Sequence, residues 1–114
     1  SDDPRERLLL FSNMLEFKQE DIMESGCPIG TLSSELAKNS VGLHDKSRQV
    51  FILLRDWIQQ QLDSLDIAGS AELAMDLLAR LQGISVMACA FKDKDYISRS
   101  HQQIKEWINT VTAK

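Results

Sequence analysis

The sequence has 114 residues, 43% of them hydrophobic and 26% charged, which is the composition of one folded globular domain and excludes a disordered chain. The formal net charge is −4, so a basic surface that grips nucleic-acid phosphates is not expected in these residues. The longest apolar runs, Leu8–Phe11 and Val86–Phe91, are far shorter than the roughly 20 residues of a membrane-spanning helix, so we expect no membrane contact.

The first predicted helix begins at Pro4, behind Asp2 and Asp3, because Asp caps helix N-termini and Pro fits the first helical position. Apolar residues then recur at helical spacing in two adjacent rows: Leu8, Phe11 and Leu15, and Leu10, Met14 and Phe17. Two rows make a broad apolar surface, so we expect this helix to be covered on more than one side.

The next two predicted helices differ in length. Ser25-Gly26 interrupts the first apolar pattern, and Pro28 restarts it as a short helix with Ile29, Leu32 and Leu36 on one side. The third predicted helix spans Val41–Asp66 and has a widened apolar stripe that includes Phe51 and Trp57.

The fourth predicted helix runs from Ala71 to about Phe91, with Ser70 as its N-cap. From Ile84 to its end the helix is apolar nearly all round, so every side of it must be covered. Five helices of this size can hardly do that within one chain, and we therefore expect a homodimer.

The last predicted helix is capped by Asp93 and runs to about Thr110, with an apolar stripe at spacings of four and three that resembles a heptad. The sequence thus predicts an all-α, five-helix domain whose last two helices form half of a four-helix dimer interface. Its candidate interface residues are Ile84, Ala88, Ile97, His101, Ile104, Ile108 and Val111.

The segment Gly26–Ala37 is similar to the "GCxxGxLxxELA" stretch of TetR-type (tetracycline-repressor family) transcriptional regulators. Leu78–Ile84 resembles their "LLxxLQG" helix, and a "KDxD"-like turn precedes a terminal helix with Ile and Trp, as in the family. The resemblance covers the chain from about Pro4 to Val111 and implies a C-terminal domain that binds an inducer among its earlier helices and dimerises through its last two.

In that family a separate N-terminal helix-turn-helix domain binds operator DNA. Because the sequence begins at Ser1-Asp2-Asp3-Pro4, we expect residues 1–114 to be the effector-binding and dimerisation domain without that DNA-binding domain.

Residues with bulky or flexible apolar side chains are the candidates for an inducer cavity, although the same residues could be plain core. The candidates are Phe11, Met14, Leu15, Cys27, Phe51, Trp57, Met87 and Phe91, with Phe17 and Met23 in the wider set. Few polar residues lie between them, so we expect a hydrophobic or amphipathic effector and no cofactor.

Two residues, Cys27 and His101, have both a functional and an ordinary interpretation. Cys27 precedes Pro28 at a helix start, where the helix dipole would favour a redox-sensitive thiolate, but a free Cys is more often a small buried residue. Cys89 fits the core, and two distant cysteines favour a reduced, cytoplasmic setting. His101 in a dimer seam would loosen the interface when protonated, although a neutral, hydrogen-bonded histidine is the more ordinary expectation.

No spacing of His, Cys or carboxylates indicates a metal site, and no nucleophile or phosphate-binding motif indicates an enzyme. The predicted function is therefore ligand sensing in a TetR-type regulator, most simply a repressor. The alternatives are a free-standing helical homodimer that acts as a protein-interaction adaptor, and a small carrier of hydrophobic ligands.

Overall fold

The computed structural model describes residues 1–25 and 41–113 of the chain. Within these two ranges the secondary structure is helical, with no strand, and this confirms the predicted all-α class. The second predicted helix and the candidate sensor Cys27 lie outside the described residues.

The first predicted helix is divided into three consecutive segments, α1 (Pro4–Ser12), α2 (Met14–Phe17) and α3 (Gln19–Ser25). Asp3 caps α1 as predicted, since its carboxylate accepts a hydrogen bond from the Arg5 amide at 3.0 Å. The helix is interrupted at Asn13 and Lys18, and each of these single residues separates two of the three segments.

Only one of the two apolar rows in this region is buried. Leu8 and Leu15 are within the core, whereas Leu10 is 54% exposed and Phe17 is 83% exposed. The first segment packs against two of the later helices, so the prediction that this region is covered on more than one side is confirmed, although Leu10 and Phe17 of the second row stay exposed within one chain. Leu10 and Phe17 each follow a buried residue by two positions, which places them about 200° further round the helix.

Three long helices complete the described fold: α4 (Val41–Ser64), α5 (Ser70–Phe91) and α6 (Lys94–Val111). Asp93 caps α6 as predicted, and its side chain accepts a hydrogen bond from the Tyr96 amide at 3.1 Å. The expected N-cap at Ser70 is wrong by one residue. Gly69, with a φ of +72°, takes that position, and the Ser70 hydroxyl instead donates to Asp63 across the turn.

Helix α5 is the centre of the bundle, because α3, α4 and α6 all pack against it. Helix α1 lies between α4 and α6, and α2 packs on α6. The buried apolar core is made of Leu8, Leu15, Ile22, Ile58, Leu62, Ala74, Leu77, Leu78, Leu81, Ile84, Ala88, Ile97, Ile104 and Ile108.

Helix α5 also has the length and mean hydropathy, 1.4, of a helix that could cross a membrane. Such values are shared by core helices of folded domains, and α5 packs as one of these. Eight of its residues, from Ser70 to Ala88, are buried against its neighbours.

The apolar stripe of α6 faces the protomer's own core. Six of the seven candidate interface residues are at most 8% exposed within a single chain: Ile84, Ala88, Ile97, His101, Ile104 and Ile108. Val111 is partly buried. A 3.6-residue period marks the buried side of a helix without indicating whether the covering surface is in the same chain, and the predicted interface residues stay a prediction from the sequence.

Candidate functional site

A cavity of about 300 Å³ lies between the N-terminal segments α1–α3 and the inner side of α5. This is at the small end of the range for ligand pockets in proteins. The described residues that line it are Phe11, Met14, Leu15, Lys18, Asp21, Ile22, Leu54, Leu78, Leu81, Gln82 and Ser85.

The wall of this cavity is mainly apolar, with four polar residues, Lys18, Asp21, Gln82 and Ser85, of which Gln82 is half-buried. Lys18 and Asp21 are exposed and so stand at the rim. Deeper in, the buried Ser85 hydroxyl donates to the Leu81 carbonyl at 2.9 Å, which leaves its oxygen able to accept another hydrogen bond. Such a cavity is suited to an apolar molecule with few polar groups.

The structure brings some of the sequence-derived candidates together and separates others. Phe11, Met14 and Leu15 line the cavity, and Trp57 packs behind Phe11 with ring centroids 5.4 Å apart. Phe51 packs on the core without lining the cavity. Met87 and Phe91 are on another side of α5, where they are 44% and 76% exposed.

Several lining residues were missed from the sequence, among them Ile22, Leu78, Leu81 and Ser85. Ile22, Leu78 and Leu81 lie on regular apolar stripes. Such a stripe has the same residue spacing whether its side chains border a cavity or are fully packed against other side chains. Ser85 interrupts the apolar run of α5, and that polar residue was the one signal in the sequence.

A second feature is an exposed apolar area on α5, here called the outer surface and defined by Val86, Met87 and Phe91. Val86 is 53% exposed, and the area adjoins a shallow depression between α5 and α6 that includes Gly83 and Tyr96. Contiguous apolar groups of this kind are typical of surfaces that pair with another protein.

A third feature is a buried polar cluster between α6 and the N-terminal segments. The imidazole of His101 has its Nε2 3.2 Å from the Ser12 hydroxyl oxygen and its Nδ1 3.2 Å from a carboxylate oxygen of Glu16. A hydrogen bond from Ser98, and then the nearby imidazole of His101, holds the pKa of Glu16 below its ordinary value. His101 therefore contacts residues of its own chain, and its role in a dimer seam stays a prediction from the sequence.

In space the contacts run from Ser12 to His101 to Glu16, which resembles a hydrolytic Ser–His–Glu triad. However, Ser12 is fully buried and its hydroxyl donates to the Leu9 carbonyl at 2.6 Å. A substrate has no route to that oxygen, so this cluster does not fit nucleophilic catalysis. In the described ranges no three His, Cys, Asp or Glu side chains are grouped as metal ligands.

Comparison with known families identifies the domain. Residues 9–103 match the model of the family described as "Transcriptional regulator LmrA/YxaF-like, C-terminal domain". No curated protein matches the chain. Since the match spans most of the sequence, including α5 and most of α6, the chain belongs to the LmrA/YxaF-like C-terminal domains of TetR-type transcriptional regulators.

Proposed function

We propose that the chain is the effector-binding and dimerisation domain of a cytoplasmic TetR-type repressor. An effector bound in the cavity would change operator affinity allosterically, through a DNA-binding domain outside this chain. Membership of the family supports a regulatory domain, and the repressor role and the mechanism are the proposal.

The cavity is the observation that carries this proposal. One side of its wall is formed by the interrupted segments α1–α3 and the other mainly by the continuous helix α5. A ligand in the cavity would therefore contact both the interrupted and the continuous helices. The apolar lining favours a small hydrophobic or amphipathic effector. Phe11, Met14 and Leu15 are proposed to contact it.

The proposed homodimer uses the outer surface instead of the buried stripe of α6. The exposed side chains of Val86, Met87 and Phe91 lose contact with water when a second copy covers them. Gly83 in the adjoining depression has no other atom within 4 Å of where a Cβ would lie, so a partner helix can approach closely there.

Binding of N-phenyl-1-naphthylamine, an apolar dye that fluoresces in apolar surroundings, tests the cavity. The wild-type chain should bind it saturably, and Ser85→Leu should weaken binding at least about tenfold, because the larger side chain fills the space. Ala79→Leu adds the same side chain at an exposed position of α5 and should leave the affinity unchanged.

Equal dye affinity in both variants, or no saturable binding by the wild type, would contradict the effector site. A homodimer without a ligand cavity would then favour the adaptor. A chain that binds the dye as a stable monomer would favour the small carrier. Redox sensing by Cys27 stays a prediction from the sequence.

A further inference from the structure

The buried polar cluster of Ser12, Glu16 and His101 connects α6 to the wall of the cavity and is here called the joint. His101 is 2% exposed and lies where α6 meets α1 and α2. Its Nε2 contacts the hydroxyl of Ser12. Its Nδ1 is buried and lacks an aligned hydrogen bond, and the Glu16 carboxylate oxygen at 3.2 Å is its polar neighbour.

The position of one proton follows from the hydroxyl of Ser12. The Asn13 amide donates to the Leu10 carbonyl at 3.1 Å, so the Leu9 carbonyl lacks its usual donor four residues on. The Ser12 hydroxyl takes that place by donating to Leu9 at 2.6 Å. Its oxygen is then an acceptor towards His101, and Nε2 must carry a hydrogen.

The other ring nitrogen faces a negative charge. If Nε2 alone carries a hydrogen, Nδ1 lies 3.2 Å from a carboxylate oxygen of Glu16 with no hydrogen on either atom, and the contact gains nothing. If Nδ1 alone carries it, Ser12 must turn its hydroxyl to Nε2 and leave the Leu9 carbonyl without that donor. A doubly protonated ring donates to Ser12 and places a positive charge beside Glu16.

We propose that Ser12, Glu16 and His101 form a proton-dependent latch, which holds the α1–α2 wall of the cavity against α6 when the imidazole is protonated. Two latch residues are direct chain neighbours of residues that line the cavity: Ser12 follows Phe11, and Glu16 follows Leu15. Release of the latch would therefore free the same segments that enclose the cavity. Control of the effector by the latch rests on the proposed function, but the latch itself does not.

Other charges near these elements are paired elsewhere or act on Glu16. Lys105, on α6 itself, lowers the pKa of Glu16 together with His101. From α3, Glu20 pairs with Lys94 at 2.8 Å. From α5, Arg80 lies over the ring of Trp107 at 5.1 Å.

Thermal unfolding of the full chain at about pH 6 and about pH 8.5 tests the latch. Glu16→Gln should lower Tm by about 3 °C or more at the lower pH, where the proposed latch is closed, and by less than about 1 °C at the higher pH. Because Glu16 is 44% exposed, this variant is expected to fold. His101→Gln should show the same dependence on pH.

Glu20→Gln is the matched control, because it also removes a carboxylate that pairs with α6. A lysine–carboxylate pair contains no group that ordinarily titrates between about pH 6 and about pH 8.5, so any loss of Tm should be equal at both pH values. An equal loss of Tm at both pH values in Glu16→Gln, or a larger one at the higher pH, would overturn the latch.

The link to the cavity has its own readout, the association rate of N-phenyl-1-naphthylamine. The rate should rise about threefold or more from pH 6 to pH 8.5 in the wild type and stay constant in Glu16→Gln. A constant wild-type rate alongside pH-dependent stability would overturn the control of the cavity by the latch. A failure of the dye to bind would count against the proposed function, while the unfolding data would still decide on the latch.

Discussion

The N-terminal segments and the two last helices are built differently although they lie side by side. Residues 4–25 form three short helices, the middle one of only four residues, whereas α5 and α6 run for 22 and 18 residues. The short helices supply one wall of the cavity, and α5 supplies the other. The outer surface is on α5 alone.

We propose that this difference separates the part of the domain that adjusts from the part that fixes its shape. In the proposed mechanism α1–α3 shift around a ligand, because each interruption of a helix removes backbone hydrogen bonds that would otherwise resist bending. The continuous helices α5 and α6 are the part proposed to carry that shift to a partner protomer. The buried cluster around His101 is where the two parts are joined.

The largest effect is expected for the inner side of α6. Ile104→Ala removes a side chain that is 3% exposed and should lower the free energy of unfolding by about 2–5 kcal/mol. Met87→Ala, on the outer surface, should cost the isolated protomer less than about 0.5 kcal/mol. Urea unfolding at low protein concentration measures both, and similar losses would remove the distinction between inner and outer sides.

A substitution in the joint should lower the free energy of unfolding by an intermediate amount. Ser12→Ala leaves His101 Nε2 and the Leu9 carbonyl without their hydroxyl partner in a buried place, which should cost about 1–3 kcal/mol in the free energy of unfolding. Ser64→Ala removes a hydroxyl that bonds to the Gln60 carbonyl on the surface, and the same urea measurement should show almost no change. A neutral Ser12→Ala would mean that the cluster does not join the two parts.

The smallest effect concerns the start of α6. A hydrogen bond from the Tyr96 amide, and then one from Arg99, holds the pKa of Asp93 below its ordinary value. The ionised cap therefore stabilises the fold at neutral pH, and this stabilisation is lost as the pH falls below the usual Asp range and through the lowered pKa. The Tm advantage of the wild type over Asp93→Asn should shrink steadily on acidification, and an advantage that grew would contradict the assignment.

The sequence was most informative where local chemistry decides the structure. The cap at Asp93, the Pro4 start and the ends of α5 and α6 depend on neighbouring residues, and these predictions are confirmed within two residues. The cavity depends on how α1–α3 pack against α5, and spacing alone could not separate Met14, which lines it, from Met87, which does not.

His101 illustrates the same limit in the joint. Its position on the apolar stripe of α6 correctly indicated burial, but the covering elements, α1 and α2, are about 85 residues earlier in the chain. Ser12 and Glu16 had no distinctive spacing that could have identified them as its partners. Only the three-dimensional structure brings them together.

The most direct test of the account uses the methionine methyl groups as reporters of the two sides of the bundle. With ¹³C-methyl methionine, Met14 reports on the cavity and Met87 on the outer surface. N-phenyl-1-naphthylamine should shift the Met14 resonance strongly and the Met87 resonance little, while dilution below the dimer dissociation constant should shift the Met87 resonance. A dye-dependent shift at Met87 with none at Met14 would contradict the account.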